Sequence, residues 1–422
     1  MNGNQTNWLL ALAIHILAIQ SAFFWVWNTT VPNWFAPVKY ASSQLRIVEK
    51  PDFFDAKVLL LGSEFYRSGQ NPLLEEEPID GILYNYPSGW QFLSWFSLDR
   101  SDTILLSAIF AVGFSVGLLI LIPPDALSSV LIHALVVFSP PYLNALGMGN
   151  GELLVVVLII AAMKLGVMSE RISSRISSIV ILIFAATLKL YPAVLLGILF
   201  IQYRKYSWKI ATVIALGIIV AWGLVNLDDI RLVASRTPQA FHSAFGCLLI
   251  PLRAENSLIS YTGSFSGSSA YNNVIIQIAN SQFWFRLFYI FIVIVFITLG
   301  FFKNRSVIIG NHRKAELLMI AGMVLFISTF GIGASWGHRL LCLVLCIPAV
   351  RFHRQPRILL TTIIIILWGN LLDSGLLFII AQLIFWTAVA WFSFQVGCFL
   401  RQNHGMPAPD VMVKTSTVKN LV

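Results

Sequence analysis

The stretch Ile176–Tyr203 reads ISSIVILIFAATLKLYPAVLLGILFIQY. It is longer than the roughly 20 apolar residues that carry an α-helix across a bilayer core, and at its centre stands Leu188-Lys189-Leu190-Tyr191-Pro192. A cation at membrane depth is costly unless it meets an anion or a water-filled cleft, and proline interrupts a helix. Basic residues flank both ends: Arg171 and Arg175 on one side, Arg204, Lys205 and Lys209 on the other. Cytoplasmic loops collect such charge, so a single crossing would leave one basic end on the wrong side. The stretch therefore predicts two short helices making a hairpin.

Composition agrees with a chain dissolved in lipid. Of its 422 residues, 57% are hydrophobic and only 11% charged, which excludes an ordinary soluble multidomain protein. Rings are abundant, with 13 Trp and 31 Phe, as helix interfaces and headgroup anchors require. A net charge of +9 would suit nucleic acid or anionic lipid, but the basic residues sit in short connections between apolar segments, where they set topology. Cys247, Cys342, Cys346 and Cys398 are too few and scattered for a disulfide framework, and Cys342 with Cys346 has the spacing of helix packing. Trp8–Trp27 is apolar, ends in aromatics and has no small-residue cleavage site behind it, so it reads as a retained helix.

Working outward, apolar segments run at about 103–122, 127–142, 153–168, 210–227, 283–302, 315–334, 340–350, 358–372 and 375–397. Several fall short of a full span, which predicts broken or half-crossing helices. The expected fold is an all-α polytopic bundle of about 11–13 transmembrane or half-crossing helices, forming a single integral membrane domain over residues 1–400. A cytoplasmic, disordered tail is expected over 401–422. Lys164, Arg171 and Arg175, then Arg204, Lys205 and Lys209, then Lys303, Arg305, Arg313 and Lys314, then Arg351, Arg354 and Arg357 form four basic connections. Placing all four in the cytoplasm puts both termini there too. The first outer loop, 28–101, the turn 139–152, the second outer loop, 228–282, and the turn 335–338 then share the non-cytoplasmic face. No inverted repeat of the transporter kind is visible.

Chemistry-bearing residues gather on that face. Asp52 and Asp55, in Pro51-Asp52-Phe53-Phe54-Asp55, stand beside rings that favour a general base, although Asp before an apolar run is also an ordinary helix cap. Tyr84-Asn85-Tyr86-Pro87-Ser88-Gly89-Trp90 reads either as a sugar-stacking wall or as an interfacial aromatic belt. In Gly147-Met148-Gly149-Asn150-Gly151-Glu152 the glycines permit close approach of a ligand to Asn150, or make a structural turn, and Glu152 suits the start of a helix. Lys189 reads as an intramembrane anion partner, or as a lysine that snorkels to the interface. In Ser335-Trp336-Gly337-His338-Arg339, the adjacent His338 and Arg339 suit a phosphate.

In this order the motifs resemble the polyprenol-phosphate-dependent GT-C glycosyltransferases, and most closely glycosyltransferase family 87. The matching elements are Asp52 leading to Leu59-Leu60-Leu61-Gly62 and Tyr66, then Tyr86-Pro87-Ser88, Ser139-Pro140-Pro141 with Gly149-Asn150-Gly151-Glu152, Lys189 to Pro192, Glu255-Asn256-Ser257, and Ser335 to His338. The chain departs from the family at Asp55, where a tyrosine is usual, at Arg339, where a second histidine is common, and in lacking the glutamine of the glycine turn. The resemblance implies an inverting glycosyltransferase of the plasma (inner) membrane, moving one sugar, mannose foremost, from a polyprenyl-phosphate carrier to a lipid or glycan acceptor outside. It implies Asp52 as general base with Asp55 the alternative, and Lys189, His338, Arg339 and Arg253 on the donor phosphate. Tyr86, Asn150, Glu152, Asn256 and Trp336 would contact substrate. No cofactor, metal or nucleic acid is expected. The competing reading is a transporter or flippase of lipid-linked sugars.

Overall fold

The computed structural model describes residues 3–28, 53–74, 84–203, 205–236, 244–248, 269–303, 307–309, 312–331, 335–369 and 375–403. Apart from a two-residue antiparallel pair, Ala244–Phe245 with Ser335–Trp336, the described elements are helical. They run α1 (Gly3–Asn28), α2 (Phe54–Arg67), a 3-10 stretch at Ser88–Phe96, α3 (Thr103–Leu121), α4 (Leu127–Val137), α5 (Pro140–Met148), α6 (Glu152–Met168) and α7 (Ile172–Leu188). After a 3-10 turn at Tyr191–Val194 come α8 (Leu195–Gln202), α9 (Tyr206–Val225), α10 (Leu227–Arg236), α11 (Ser269–Phe302), α12 (Arg313–Gly331), a long 3-10 stretch at Gly337–Phe352, α13 (Pro356–Gly369) and α14 (Gly375–Asn403).

Six of these helices are long and apolar enough to cross a membrane, or seven if α4 and α5, bent by 54°, count as one broken span. The chain thus has the make-up of a multi-pass membrane protein. Shorter apolar helices at Ile172–Leu188, Tyr191–Gln202 and Pro356–Gly369 fill the remaining places. The short apolar segment at 340–350 gains length by winding tightly. At ~2 Å rise per residue, the 16 residues of Gly337–Phe352 extend about 30 Å, a bilayer core's thickness. Its residues Leu340–Cys346 are fully buried, packed on α12 and on α5 and α13, and a Cβ at Gly322 would lie 2.7 Å from the Cys346 Sγ. Cys342 and Cys346 are buried free thiols, as helix packing required.

The hairpin forms as the sequence predicts. Helix α7 ends at Lys189, whose backbone is extended (φ −151°, ψ 127°), and Pro192 falls in the first turn of the next helical piece, where proline is tolerated. The two basic ends come back together: the Arg175 guanidinium lies 5.3 Å from the ring centroid of Tyr203 and 5.7 Å from that of Trp208.

One expectation needs correction. The reading of 139–152 as a single turn is replaced by a helix over Pro140–Met148, because Ser139 and Pro140 make a good helix start, with proline in the first turn. The turn proper is confined to Gly149–Gly151, where Gly149 adopts φ +60°.

Contacts between segment ends sort the bundle into two poles. At one, Lys164 Nζ donates to the Ile120 carbonyl (2.6 Å), Lys314 Nζ to Met168 (2.9 Å) and Arg401 to Phe301 (3.2 Å), each covering a carbonyl in a helix's last turns. At the other, the Phe53 N–H donates to the Gly147 carbonyl (3.1 Å), the Trp90 Nε1–H to Leu188 (3.2 Å) and the Ser88 hydroxyl to Asn226 Oδ1 (3.0 Å). The basic connections therefore lie at the opposite pole from the hairpin tip.

Candidate active site

Five short pieces of chain meet at the second pole: the first turn of α2, the approach to the 3-10 stretch Ser88–Phe96, the Gly149–Gly151 turn, the hairpin tip and the start of Gly337–Phe352. Each presents a residue for a local reason. Phe53 holds a left-handed conformation (φ 56°, ψ 37°) and is buried on Phe23, with ring centroids 4.9 Å apart. That conformation is uncommon for a bulky side chain and costs on the order of 1–2 kcal/mol, so the packing over-determines it. It launches α2 with Asp55 in the first turn.

Asp55 is not a cap. Its Oδ2 accepts a short hydrogen bond from Asn150 Nδ2, while Asn150 Oδ1 accepts the Glu152 N–H at 2.8 Å. Because the backbone N–H is a donor only, it fixes which way the Asn150 amide points. Tyr86 also hydrogen-bonds Asp55, and burial with that carboxylate beside it holds the Tyr86 phenol well above its ordinary range, so it remains a donor. The face of the same ring carries Lys189, whose Nζ lies 4.9 Å from the centroid.

Beneath this layer sits Glu152, with no exposed surface. Its Oε1 accepts a short hydrogen bond from the Tyr191 hydroxyl, and its Oε2 lies 3.9 Å from His338 Nε2, with no closer hydrogen-bond partner among the described residues. A buried carboxylate without compensation costs several kcal/mol. The Lys189 ammonium supplies it, lying within electrostatic reach of Glu152, Asp55 and Arg339. Two acidic and two basic side chains thus stand together, with the neutral donors Tyr86, Asn150 and Tyr191 between them. Asp55, Lys189 and Arg339 are partly exposed, whereas Asn150, Glu152, Tyr191 and His338 are buried behind them.

Among the predicted site residues, the structure brings together Asp55, Tyr86, Asn150, Glu152, Lys189, His338 and Arg339. Asp52, Arg253 and Asn256 lie outside the described residues, as does the tail beyond 403. Trp336 is placed by its backbone opposite Ala244 in the small ladder.

Sequence reasoning missed two contributors. Tyr191 stands two residues from Lys189 in the stretch that decided the hairpin, and only the fold turns its hydroxyl onto Glu152. Trp90 is neither belt nor stacking wall: it is 1% exposed, its indole N–H holds the last carbonyl of α7, and a Cβ on Gly151 would collide with its ring. An indole in Pro87-Ser88-Gly89-Trp90 was visible in the sequence, but its partner 98 positions away was not.

Chemically, the arrangement can accept a proton at one exposed carboxylate while presenting two cations to an anion beside it. No protein-family model, curated protein or solved structure matches this chain.

Proposed function

We propose that the chain is a membrane glycosyltransferase of GT-C type, moving one sugar, mannose foremost, from a polyprenyl-phosphate carrier to a hydroxyl of a lipid or glycan acceptor at the pole facing away from the cytoplasm. The observation that carries the reading is the meeting of Asp55 with Lys189 and Arg339 in one partly exposed cluster. In this reaction the acceptor oxygen bonds to the anomeric carbon as its proton passes to a carboxylate, that of Asp52 or of Asp55 three positions further along the chain. The anomeric carbon–phosphate oxygen bond breaks on the opposite face, giving inversion. The departing lipid phosphate gathers charge, which Lys189 and Arg339 are placed to offset. Sidedness follows from the basic connections, which favour the cytoplasm and lie at the other pole.

The test is transfer by purified protein from polyprenyl-phosphate-linked mannose or arabinose to a mixed lipid acceptor pool. Loss of a general base typically costs about 10²–10⁴-fold, so either Asp52→Asn or Asp55→Asn should fall in that range. Lys189→Met should also lose transfer. Undiminished transfer by all three variants, or movement of lipid-linked sugar across reconstituted vesicles with no product formed, would overturn the reading, the latter in favour of a flippase.

A further inference from the structure

At the basic pole, far from the cluster above, α13 and α14 leave an apolar groove between them. Its cavity is about 410 Å³ and it is walled by Ile358, Thr362, Ile365, Leu383, Thr387 and Trp391. Ile358 is 51% exposed and Leu383 61%, so the walls face outward rather than into the bundle. The groove begins at Gln355, and from Gln355 to Ile365 the helix rises about 15 Å, the scale of one extended alkyl chain.

Basic residues neighbour the Gln355 end of the groove along the chain. Arg354 and Arg357 flank Gln355 in sequence, Arg351 stands one turn earlier, and all three are exposed. Among the described residues no ion pair reaches any of them, although the Arg351 guanidinium rests 4.6 Å from the Phe352 ring centroid. Arg357 lies in the first turn of α13, where the helix already presents its positive end. A cation there is electrostatically unfavourable alone and favourable beside an anion.

From the groove and the exposed arginines beside it we infer a binding site for one anionic phospholipid, its phosphate held by Arg354 and Arg357 and one acyl chain lying between α13 and α14. A zwitterionic lipid would fill the groove equally well but would offer no net charge to the arginines, so the site should discriminate by headgroup.

The experiment uses the full chain purified in detergent, with bound lipid counted by native mass spectrometry during titration with phosphatidylglycerol or phosphatidylcholine. Wild type should prefer phosphatidylglycerol by roughly tenfold or more, since each arginine near an anionic headgroup contributes about a fivefold effect. Arg354→Gln/Arg357→Gln changes only exposed side chains and should abolish the preference while phosphatidylcholine binding persists. Thr362→Phe, which fills the groove and leaves the arginines, should lower retention of both lipids. Equal binding of the two lipids by wild type would overturn the proposal, as would an unchanged preference in the arginine variant. Full phosphatidylglycerol retention by Thr362→Phe would remove the groove from it.

Discussion

The Asn150 side-chain amide joins the Asp55 carboxylate to the first backbone N–H of α6, donating to one and accepting from the other. Residues 95 positions apart are thereby held in one orientation, and the exposed carboxylate of the cluster is tied to the buried one two residues beyond Asn150.

This linkage gives Asn150 a distinct mutational signature. Asn150→Leu removes a hydrogen bond to a charged group, which is worth about 1.5–3 kcal/mol. Asn150→Asp should cost more, because it keeps the acceptor for the Glu152 N–H but sets a third carboxylate against Asp55. Thermal unfolding in detergent should rank the chains wild type, then Leu, then Asp. An Asp variant as stable as wild type would contradict the assigned bond.

The glycines divide by position. Gly149 combines φ +60° with a site where a Cβ would collide with Ser107 Oγ and lie 2.8 Å from Ala56 Cβ. Gly149→Ala should therefore destabilise by about 2 kcal/mol or more, from strain and overpacking together. A Cβ added at Gly197 in α8 would meet nothing within 4 Å. Gly197→Ala should raise stability by about 0.5–1 kcal/mol through helix propensity. Opposite shifts in unfolding midpoint are the expected result.

Trp90→Phe keeps an aromatic ring but leaves a void where the indole's second ring packed, and it strips the donor from the Leu188 carbonyl. An unsatisfied buried carbonyl costs about 1–3 kcal/mol, and here it sits immediately before Lys189. The variant should lose stability and, if the proposed transfer holds, lose more activity than a substitution at exposed Trp95. Parallel assays of Trp90→Phe and Trp95→Phe decide this.

A histidine pair fastens α1 to α4. His133 Nε2 faces the Ile122 carbonyl at 2.7 Å, so that nitrogen carries a proton, and the neutral ring's Nδ1 then accepts from His15 Nε2 at 3.0 Å. The order of donors makes the two residues unequal. His133→Leu strands both the Ile122 carbonyl and the His15 donor, whereas His15→Leu strands only the His133 acceptor. With each orphan worth about 1–3 kcal/mol, the His133 variant should be the less stable by one such increment. Equal unfolding midpoints would refute the assigned direction.

The reading of Ile176–Tyr203 as a hairpin needed no tertiary information. Lipid tolerates neither an unpaired cation nor an interrupted backbone, so a proline and a lysine at the centre of an apolar stretch with basic ends leave few arrangements. The residues that face one another were decided elsewhere. Nothing local in Tyr191 or Trp90 reveals a partner, because Glu152 and the Leu188 carbonyl arrive on other segments. The helix over Pro140–Met148 was hidden for a different reason: its Pro-Pro start and glycine-rich end both carry turn chemistry, and only packing in the core decides that the residues between them wind into a helix.

The sequence by itself determined that this chain belongs in a bilayer, where it breaks within it, and which connections are basic, since composition, proline and charge act through solvent transfer and need no neighbours. Tertiary structure alone decided that Asp55, Glu152, Lys189 and Arg339 offset one another's charge in a single cluster. Electrostatic compensation depends on distance in space, and chain separation carries no record of that distance.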